Sequence, residues 1–598
     1  MSLSPSRPSV LVSTISSALF LFSTASHGIQ PFGHIIKKSD AALPAFTRAG
    51  MAMDEAFTGA AFYAEMNFLN GSTTYPVTGF GYFDQNAAHK WSAYIETGPL
   101  AGFYPTIAGP LRTNPAKYFA IYNVPGGKTR VGVGNGSTLA KDFAVEFTHT
   151  ANPDDVLSTL APGDKILQLM DQGTTLGLVS FNANGTLAIS KTYTSPLLLP
   201  QVGEDETDPQ YAQIASLQDG SGHYLTVDIS PTDSAHTYLI TKLDAAGAVS
   251  WSRTFTWPAS GSPFKTISSN APMLPAPDGS YVFTLVESDL NIETFSYTHK
   301  THLIKFAANG TKAWSTTLSG ASLMVSGYSP NSNDVWLTGN KIEGISPPAI
   351  QPVVARLSNA TGQVSAEFRP PVAAGVGNYA NMISVQADAA YLNIYDDSLK
   401  TRSLVMKVPT GTSTAQCFVR NDTFQGGAQL SMRDNTGTLS SEFSSGDGLR
   451  VIGYNPSYQS VVAVCPDYSG AVTSFLTPAL TAQALVIDPQ ATTVTASARA
   501  TTLTPITLPI KALALQVTPY QATPPPLNLP VTTTRNAAGH LVLGFTAKAG
   551  VTYTLLHSPD LVSPFQPIQT LNGTGAAATF TITNLSAGKG FFKISDGN

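Results

Sequence analysis

The sequence predicts an all-β fold, a β-propeller of seven or alternatively six blades followed by a small C-terminal β-sandwich. Three observations lead to this fold class. Only 12% of the 598 residues are charged, about half of the roughly 25% typical of soluble domains, and Thr, Ser, Ala, Gly and Pro take their place. A strand–turn–strand phrase recurs along most of the chain. Short alternating strands fill the last part of the sequence.

The N-terminus is typical of a secretory signal. Arg7 precedes the apolar run Val10–Phe22, and the small residues Ser23 and Ala25 follow at positions suited to cleavage. The run is too short to span a bilayer, and no later stretch is long and apolar enough to do so. We therefore assign residues 1–28 to a signal peptide and expect a secreted, periplasmic or cell-surface protein. A buried helix or strand is the alternative.

The recurring phrase is an apolar strand, a turn that contains glycine, and a second strand. Copies follow one another at intervals of about 50 to 60 residues, and the turn glycines are Gly127, Gly185, Gly247, Gly310, Gly362, Gly411 and Gly470. Glycine suits the chain reversal because it tolerates positive φ. Flanking residues alternate with the period of a strand. Each copy therefore predicts a β-hairpin.

A second strand pair with its own turn precedes most of these hairpins, which gives about four strands per unit. A four-stranded sheet cannot cover both of its faces alone, whereas sheets packed radially around an axis bury each face against a neighbour. We assign residues 80–480 to the propeller. An array of separate sandwich domains is the alternative, but it needs about 100 residues per unit.

The residues that precede the propeller leave two interpretations open. We assign residues 29–79 to an N-terminal extension with a possible closing strand. The region Phe57–Thr150 is β-like. It supplies either the first blade and a closing strand or a separate small sheet.

Two segments resemble known repeats. Lys242–Ser252 and Lys305–Ser315 resemble the bacterial seven-bladed propeller repeat, and they are also similar to the quinoprotein (PQQ) dehydrogenase repeat, in which a Trp follows the turn Gly by four residues. Trp251 and Trp314 keep that spacing. The resemblance implies a structural role for both, because the tryptophans of that family dock one blade on the next.

The C-terminal part divides into a predicted linker, residues 481–530, and a module, residues 531–598. The linker is rich in Thr and Ala, is almost uncharged and contains Pro524–Pro526, a run that favours extended polyproline II. The module has five short strands, enough for a small sandwich. Gly550–Leu561 and the terminal GFFKI resemble a C-terminal module of exported proteins from Verrucomicrobia-type bacteria, which implies secretion or surface display.

Composition and motifs exclude several function classes. The net charge of −5 and the lack of a basic stripe exclude a nucleic-acid binder. No G-x-S-x-G motif marks a serine hydrolase. A quinoprotein needs a metal-binding carboxylate with cationic and aromatic groups at the axis, and that family often has adjacent cysteines, whereas Cys417 and Cys465 are far apart in the sequence. Whether these two form a disulfide is left open.

Acidic and histidine residues supply weak metal-site candidates. The best cluster is an acidic loop that could hold a hard cation through oxygen ligands, against the alternative of a solvated loop: Glu204, Asp205, Glu206 and Asp208. Asp396 and Asp397 form a weaker pair. His299 and His302 would point to opposite faces of a strand, and we interpret them as exposed loop histidines.

These observations predict an exported binding or structural protein that is non-enzymatic, monomeric and without a cofactor. Its ligand would be a protein or a carbohydrate, presented on loops or in the axial channel. A quinoprotein-like oxidoreductase and a polysaccharide-active enzyme are the alternatives. The second would need paired carboxylates that face one cavity.

Overall fold

The structure is a computed structural model. It describes residues 32–38, 46–53, 59–70, 73–84, 88–95, 104–111, 113–114, 116–124, 126–151, 156–200, 210–229, 235–258, 265–269, 274–293, 296–343, 349–368, 379–385, 389–395, 403–409, 415–420, 428–433, 438–444, 448–454, 468–474, 480–507, 510–519, 532–538, 540–547, 552–558, 566–583 and 591–595. The chain divides into two compact units, one comprising His27–Val461 with Gly470–Gln521 and the other containing Ala522–Asn598.

The part of the larger unit that the structure describes forms eight antiparallel sheets, numbered here in ring order. Strand β1 is Phe32–Lys38, and sheets 1 to 4 follow as β2 (Phe46–Met53), β3 (Gly59–Asn70), β4 (Thr73–Asp84), β5 (His89–Ile95); β6 (Tyr104–Pro110), β7 (Lys117–Val124), β8 (Lys128–Asn135), β9 (Ala140–Thr148); β10 (Val156–Ala161), β11 (Lys165–Asp171), β12 (Thr175–Phe181), β13 (Leu187–Thr194); β14 (Gln210–Ser216), β15 (Gly222–Ile229), β16 (His236–Asp244), β17 (Val249–Trp257). Sheets 5 to 8 continue as β18 (Lys265–Ser268), β19 (Tyr281–Asn291), β20 (Ser296–Phe306), β21 (Lys312–Ser319); β22 (Ser322–Tyr328), β23 (Val335–Glu343), β24 (Ala349–Leu357), β25 (Val364–Phe368); β26 (Tyr379–Val385), β27 (Ala389–Tyr395), β28 (Ser403–Pro409), β29 (Ala415–Arg420); β30 (Ala428–Arg433), β31 (Thr438–Ser444), β32 (Gly448–Tyr454).

The sheets form a closed cycle of neighbours. The first strands β6, β10 and β14 contact one another in turn, as do β22, β26 and β30, so the first strands of these six sheets lie on the inner side. Sheet 8 joins the two ends of the cycle, because β1 pairs with β32 while β2 contacts β31. This arrangement is propeller-like, and it follows from the predicted need of each sheet to bury both faces.

A segment after sheet 8 adds a further strand to seven of the eight sheets. Its strands are β33 (Tyr468–Ser474), β34 (Thr481–Ala484), β35 (Gln490–Ala491), β36 (Thr495–Ala498), β37 (Thr504–Pro505), β38 (Ile510–Ala512) and β39 (Leu515–Pro519). They join sheets 7, 5, 4, 3, 2, 1 and 8 in that order. The chain therefore returns around the ring in the direction opposite to the one in which the sheets were laid down. We call residues 480–519 the belt.

The belt advances by seven residues from each sheet to the next. Residues at this spacing donate their backbone N–H to a carbonyl of the fourth strand: Leu485 to Ser315 at 3.3 Å, Thr492 to Ser252 at 3.4 Å, Arg499 to Ser190 at 3.2 Å, Ile506 to Ala144 at 3.0 Å and Leu513 to Ser92 at 3.0 Å. In three of these pairs the serine hydroxyl donates back to the carbonyl of the same belt residue: Ser315 and Ser190 at 2.7 Å, and Ser92 at 2.6 Å. An extended heptad reaches at most about 25 Å, enough to step between sheets.

The hydrophobic core lies between the sheets and is closed on the outside by the belt. Each described cluster combines side chains from two consecutive sheets. Leu480, Ile487 and Val494, again seven residues apart, enter the clusters of sheets 5/6, 4/5 and 3/4. A belt residue thus fills the outer end of each of these clefts.

Two features differ from the sequence-based expectation. The described residues form eight sheets rather than the expected seven, because residues 46–95 contribute a sheet and because sheet 8 takes its fourth strand, β1, from the predicted extension 29–79. Residues 481–519, predicted as linker, pair as strands. Low charge and frequent proline suit edge strands as well as they suit linkers, because proline is tolerated where the outer backbone groups face solvent.

The C-terminal unit contains two three-stranded sheets. Its strands are β40 (Thr532–Arg535), β41 (Leu541–Thr546), β42 (Thr552–Ser558), β43 (Gln566–Asn572), β44 (Ala577–Ile582) and β45 (Phe591–Ser595). The sheets β40-β41-β44 and β43-β42-β45 share one cluster in which Leu555 is fully buried. Each of the five predicted strands of this region corresponds to one of β41–β45. In the part of the chain that the structure describes, no helix has the length and apolar character to cross a membrane.

Candidate functional site

Polar side chains gather at one end of the cleft between sheets 4 and 5, which we call the 4/5 rim. The strands of sheet 4 contribute Tyr211, Asp228 and His236 there. Asp228 has Tyr211 and Tyr238 as its direct neighbours on the adjacent strands. Directly opposed residues of an antiparallel pair lie on the same face, and Tyr238 packs on Phe283 of sheet 5. The side chains of Tyr211, Asp228 and Tyr238 therefore belong to the face of sheet 4 that meets sheet 5.

One part of the rim is built around Asp228 of sheet 4. Its Oδ1 lies 3.0 Å from Nδ1 of His236, and its Oδ2 accepts a hydrogen bond from Ser269 of sheet 5 at 3.1 Å. The imidazole of His236 stacks on Tyr238. Tyr211 is 60% exposed, although most of its neighbours in this cleft are buried. The result is an open aromatic surface on the same face as a fixed carboxylate.

A second part of the rim is built around Glu287 of sheet 5, which is almost completely buried. Its Oε2 lies 2.9 Å from Nζ of Lys265, and its Oε1 lies 3.3 Å from Nζ of Lys300, so the carboxylate is paired with two ammonium groups. Burial alone would raise the pKa of Glu287, but hydrogen bonds and charge from the two lysines outweigh it and hold the pKa below its usual range. The carboxylate is therefore ionised and neutralised by its partners.

His302 completes the part of the rim around Glu287. Its Nδ1 lies 2.8 Å from the hydroxyl of Thr317, and its ring lies 4.4 Å from the ring of Trp257 on sheet 4. Its buried Nε2 has no hydrogen-bond partner and lies 3.8 Å from Oε2 of Glu287. Burial lowers the pKa of His302 to about 4, so the imidazole is neutral at pH 7.

The rim is arranged to hold groups in place. The Ser269 hydroxyl donates to Asp228 and not to an imidazole, so these residues do not form the nucleophile–base pair of a hydrolase triad. Glu287 is a weak base because two lysines stabilise its charged form. An exposed aromatic ring with a carboxylate and an imidazole nearby suits a ligand that has both an apolar face and hydroxyl groups.

The predicted metal ligands lie outside the described residues. This applies to Glu204, Asp205, Glu206 and Asp208, and to Asp396 and Asp397. Among the residues that the structure does describe, no group of three His, Cys, Asp or Glu side chains is placed to hold a metal ion. Cys417 is part of strand β29, and Cys465 is not among the described residues.

Four of the predicted turn glycines occupy the same place in consecutive sheets, the hairpin between the third and fourth strands. They are Gly185, Gly247, Gly310 and Gly362, all at positive φ. A Cβ on each would lie 2.6 to 2.8 Å from a side chain of the preceding sheet, and those neighbours are Phe143, Ile189, Trp251 and Trp314 respectively. Both tryptophans thus dock on the next sheet.

The other predicted glycines differ from this pattern. Gly127 lies in the β7–β8 hairpin, between the second and third strands of sheet 2. The third-to-fourth hairpin of that sheet contains Gly136, which Trp91 contacts. Gly470 lies inside strand β33 and not at a turn, and Gly411 is not among the described residues. A Gly flanked by apolar residues marks a strand as readily as a hairpin, which explains the misplaced copies.

The two histidines of the H-x-x-H motif lie in strand β20 rather than in a loop, and both are buried. The prediction that they are exposed is wrong, although they do lie on opposite faces. His302 faces sheet 4, whereas Nδ1 of His299 lies 2.9 Å from Oγ of Ser288. The alternation of His302 with Ile304 and Phe306, both buried in the 4/5 cluster, is the signal that indicates burial.

No protein-family model matches the chain, and no curated protein matches it. Among solved structures the chain is similar to a variant of the apocarotenoid oxygenase of Synechocystis, with a TM-score of 0.36, 12% identity, and coverage of 75% of this chain and 94% of the other. It is also similar to prolyl oligopeptidase B of Galerina marginata, with a TM-score of 0.31, 9% identity, and coverage of 70% of this chain and 57% of the other. A third similar structure is the WD40 domain of SCAP from fission yeast, with a TM-score of 0.23, 9% identity, and coverage of 70% of this chain and 94% of the other. These scores are too low for any of the three to indicate what this chain does.

Proposed function

We propose that this chain is an exported, non-enzymatic binding protein that holds a carbohydrate at the 4/5 rim. The observation that carries the proposal is the exposed ring of Tyr211 on the same face as Asp228, whose carboxylate is fixed by His236 and Ser269. A pyranose ring offers an apolar C–H face to an aromatic ring and hydroxyl groups to a carboxylate. The rigid sheets on either side hold these groups in place before the ligand arrives.

Export is part of the same proposal and rests on the N-terminal sequence. The apolar run Val10–Phe22 with small residues after it supports a signal peptide. The resemblance of residues 531–598 to a C-terminal module of exported proteins supports display outside the cell. A polysaccharide of the surroundings would then be an accessible ligand.

The non-enzymatic part of the proposal rests on how the rim uses its ionisable groups. Glu287 is committed to Lys265 and Lys300, and Asp228 is committed to His236 and Ser269. Hydrolysis of a glycosidic bond would need one carboxyl group as acid and a second as base or nucleophile. Both carboxylates of the rim join strands or sheets to one another.

Affinity gel electrophoresis of the purified full-length protein tests the proposal, with xylan, laminarin, dextran and alginate as separate probes. We expect at least one polysaccharide to retard the protein. Tyr211→Ala should weaken that retardation about fivefold or more, whereas Tyr211→Phe, which keeps the ring, should leave it within about twofold, since stacking contributes on the order of 1 kcal/mol. Asp228→Asn should weaken it as well.

Reducing ends released into the same mixtures provide the second readout. The proposal predicts retention without release. Release of reducing ends would instead indicate a polysaccharide-active enzyme, and quinone absorbance of the purified protein would indicate a quinoprotein. Absence of retardation by all four probes, or equal retardation of wild type and Tyr211→Ala, would contradict a carbohydrate site at the rim.

A further inference from the structure

The last strand of the belt holds the first strand of the chain in place. Strand β1 lies between β32 and β39 in sheet 8. It pairs with β32 through Phe32–Ile36 and with β39 through His34–Lys38. Sheet 8 is therefore assembled from three parts of the sequence that are far apart, and the ring is closed at this sheet.

The two registers are offset along β1, and the offset gives the belt a distinct part of the strand. Among the described residues, Lys37 and Lys38 have their strand partners on β39, namely Gln516 and Leu515. Within the same described part of the chain, Phe32 and Gly33 have theirs on β32. As far as the structure describes the chain, the belt supplies the pairing of the end of β1 that leads onward to sheet 1.

The rest of the belt is fixed at regular intervals before it reaches β1. Residues seven apart, from Leu485 to Leu513, bond to the fourth strands of sheets 5 to 1 in succession, and Leu480, Ile487 and Val494 enter the clefts between sheets. Each of these docking points is provided by a sheet whose own strands are already complete. The belt therefore docks on sheets whose own four strands are in place.

We propose that the belt is a ring lock: it docks on the assembled sheets, and its final strand β39 fixes the N-terminal strand β1 so that the ring cannot open at sheet 8. The direction of the chain supports this order of events, because the belt follows all eight sheets in the sequence and its strands pair with their outer edges. Without β39, β1 would be an edge strand held from one side only. Edge strands with free backbone groups on one side are the first to fray.

Hydrogen exchange of the full-length protein, followed by mass spectrometry, tests the lock. Adjacent strand residues direct their N–H groups to opposite sides, so one of Gln516→Pro and Val517→Pro removes an amide that faces β1. The matched control is Val486→Pro, because Val486 is 99% exposed and lies between β34 and β35. We expect one of the two β39 variants to speed exchange in residues 32–38 at least tenfold, with the control unchanged.

A comparison of exchange between the sheets of a β39 variant separates a lock from general stabilisation. A belt that merely stabilised the fold would raise exchange in all sheets of a β39 variant equally. The lock predicts that β1 and β32 respond, whereas β13 and β17, whose belt partners lie upstream, do not. Equal response of all sheets, or unchanged exchange in residues 32–38 in both β39 variants, would overturn the proposal.

Native-state exchange of the wild-type protein in low denaturant covers the case in which both proline variants fail to fold. Residues 32–38 and 515–519 are expected to lose protection together, at a lower denaturant concentration than β31. Continued protection of residues 32–38 after residues 515–519 have exchanged fully would show that β1 does not depend on the belt.

Discussion

Trp251 and Gly310 meet across the cleft between sheets 4 and 5, and their contact fixes one sheet against the next. Nε1 of Trp251 donates to the carbonyl of Ala308 at 3.0 Å, and a Cβ added to Gly310 would lie 2.6 Å from the indole ring. Trp314 repeats the arrangement one sheet later, with its Nε1 2.7 Å from the carbonyl of Asn359 and its ring on Gly362. The turn glycines therefore serve two purposes, chain reversal and close approach of a bulky ring.

Gly310→Ala is expected to destabilise the large unit by about 2 to 4 kcal/mol. The change adds the cost of positive φ for a residue with a Cβ to a clash with the Trp251 ring. Gly163→Ala is the matched control, because Gly163 also has positive φ and a Cβ there would meet nothing within 4 Å. It should cost only about 1 kcal/mol. Urea unfolding followed by tryptophan fluorescence measures both, and equal losses would contradict the docking role.

Tyr193→Phe is expected to cost about 1 to 2 kcal/mol. The buried hydroxyl of Tyr193 donates to the carbonyl of Gly247 at 2.8 Å, and that carbonyl would lose its partner. Tyr118 is equally buried, but its hydroxyl has no hydrogen-bond partner, so Tyr118→Phe should be neutral or slightly stabilising. The same unfolding measurement applies. A greater loss in the Tyr118 variant would argue against the hydrogen bond as the cause.

Val494→Ala tests whether the belt contributes to the core. Val494 is 8% exposed in the cluster between sheets 3 and 4, so removal of two methyl groups should cost about 1 to 2 kcal/mol. Val486→Ala changes the same residue type in the same segment at 99% exposure and should change stability by less than about 0.5 kcal/mol. A linker without packing would give the same small effect for both, which is the outcome that contradicts the belt.

Acidification should destabilise the large unit, in part through His302. Because burial lowers the pKa of His302 in the folded state to about 4, the unfolded chain binds a proton more readily below its pKa of about 6.5. Stability contributed by the neutral imidazole is present above that pH and is lost as the pH falls towards 4, by up to about 3 kcal/mol. His223 acts in the same direction, since its pKa is also lowered to about 4 by burial and, to a lesser extent, by Lys165.

His302→Gln provides the check on this pH dependence. The variant should lose stability at pH 7 but show a shallower fall between pH 6.5 and pH 4.5, because one of the buried histidines no longer titrates. Urea midpoints at four pH values in this window measure the slope. An unchanged slope would show that His302 does not titrate as its burial requires.

The hairpins of sheets 3 to 6 could be predicted from the sequence because their turns carry a glycine and their strands alternate. The number of sheets could not. Sheet 8 has no third-to-fourth hairpin, since its fourth strand β1 comes from the N-terminal part of the chain, and a partner more than 400 residues away along the chain leaves no local signal. The sequence around Gly470 looks like a further copy of the hairpin phrase, because Gly470 lies in a strand of its own, β33.

The belt and the rim were missed for different reasons. The belt looks like a linker by composition, yet its seven-residue recurrence, as in LVIDPQA and TTVTASA at 485–498, is visible once the spacing is known. The rim depends on pairing between sheets. Tyr211, Asp228 and Ser269 are ordinary residues in the sequence, and only the register of β14 with β15 and the packing of sheet 5 bring them to one face.

Disulfide trapping tests the return of the belt around the ring most directly. In a Cys417→Ala, Cys465→Ala background, Thr192→Cys with Ser497→Cys and Thr254→Cys with Gln490→Cys are strand partners, close enough for a disulfide. The mismatched pair Thr192→Cys with Gln490→Cys is displaced by seven residues. We predict rapid oxidation of both matched pairs and none of the mismatched one, whereas equal oxidation of all three pairs, or of none, would contradict one heptad per sheet.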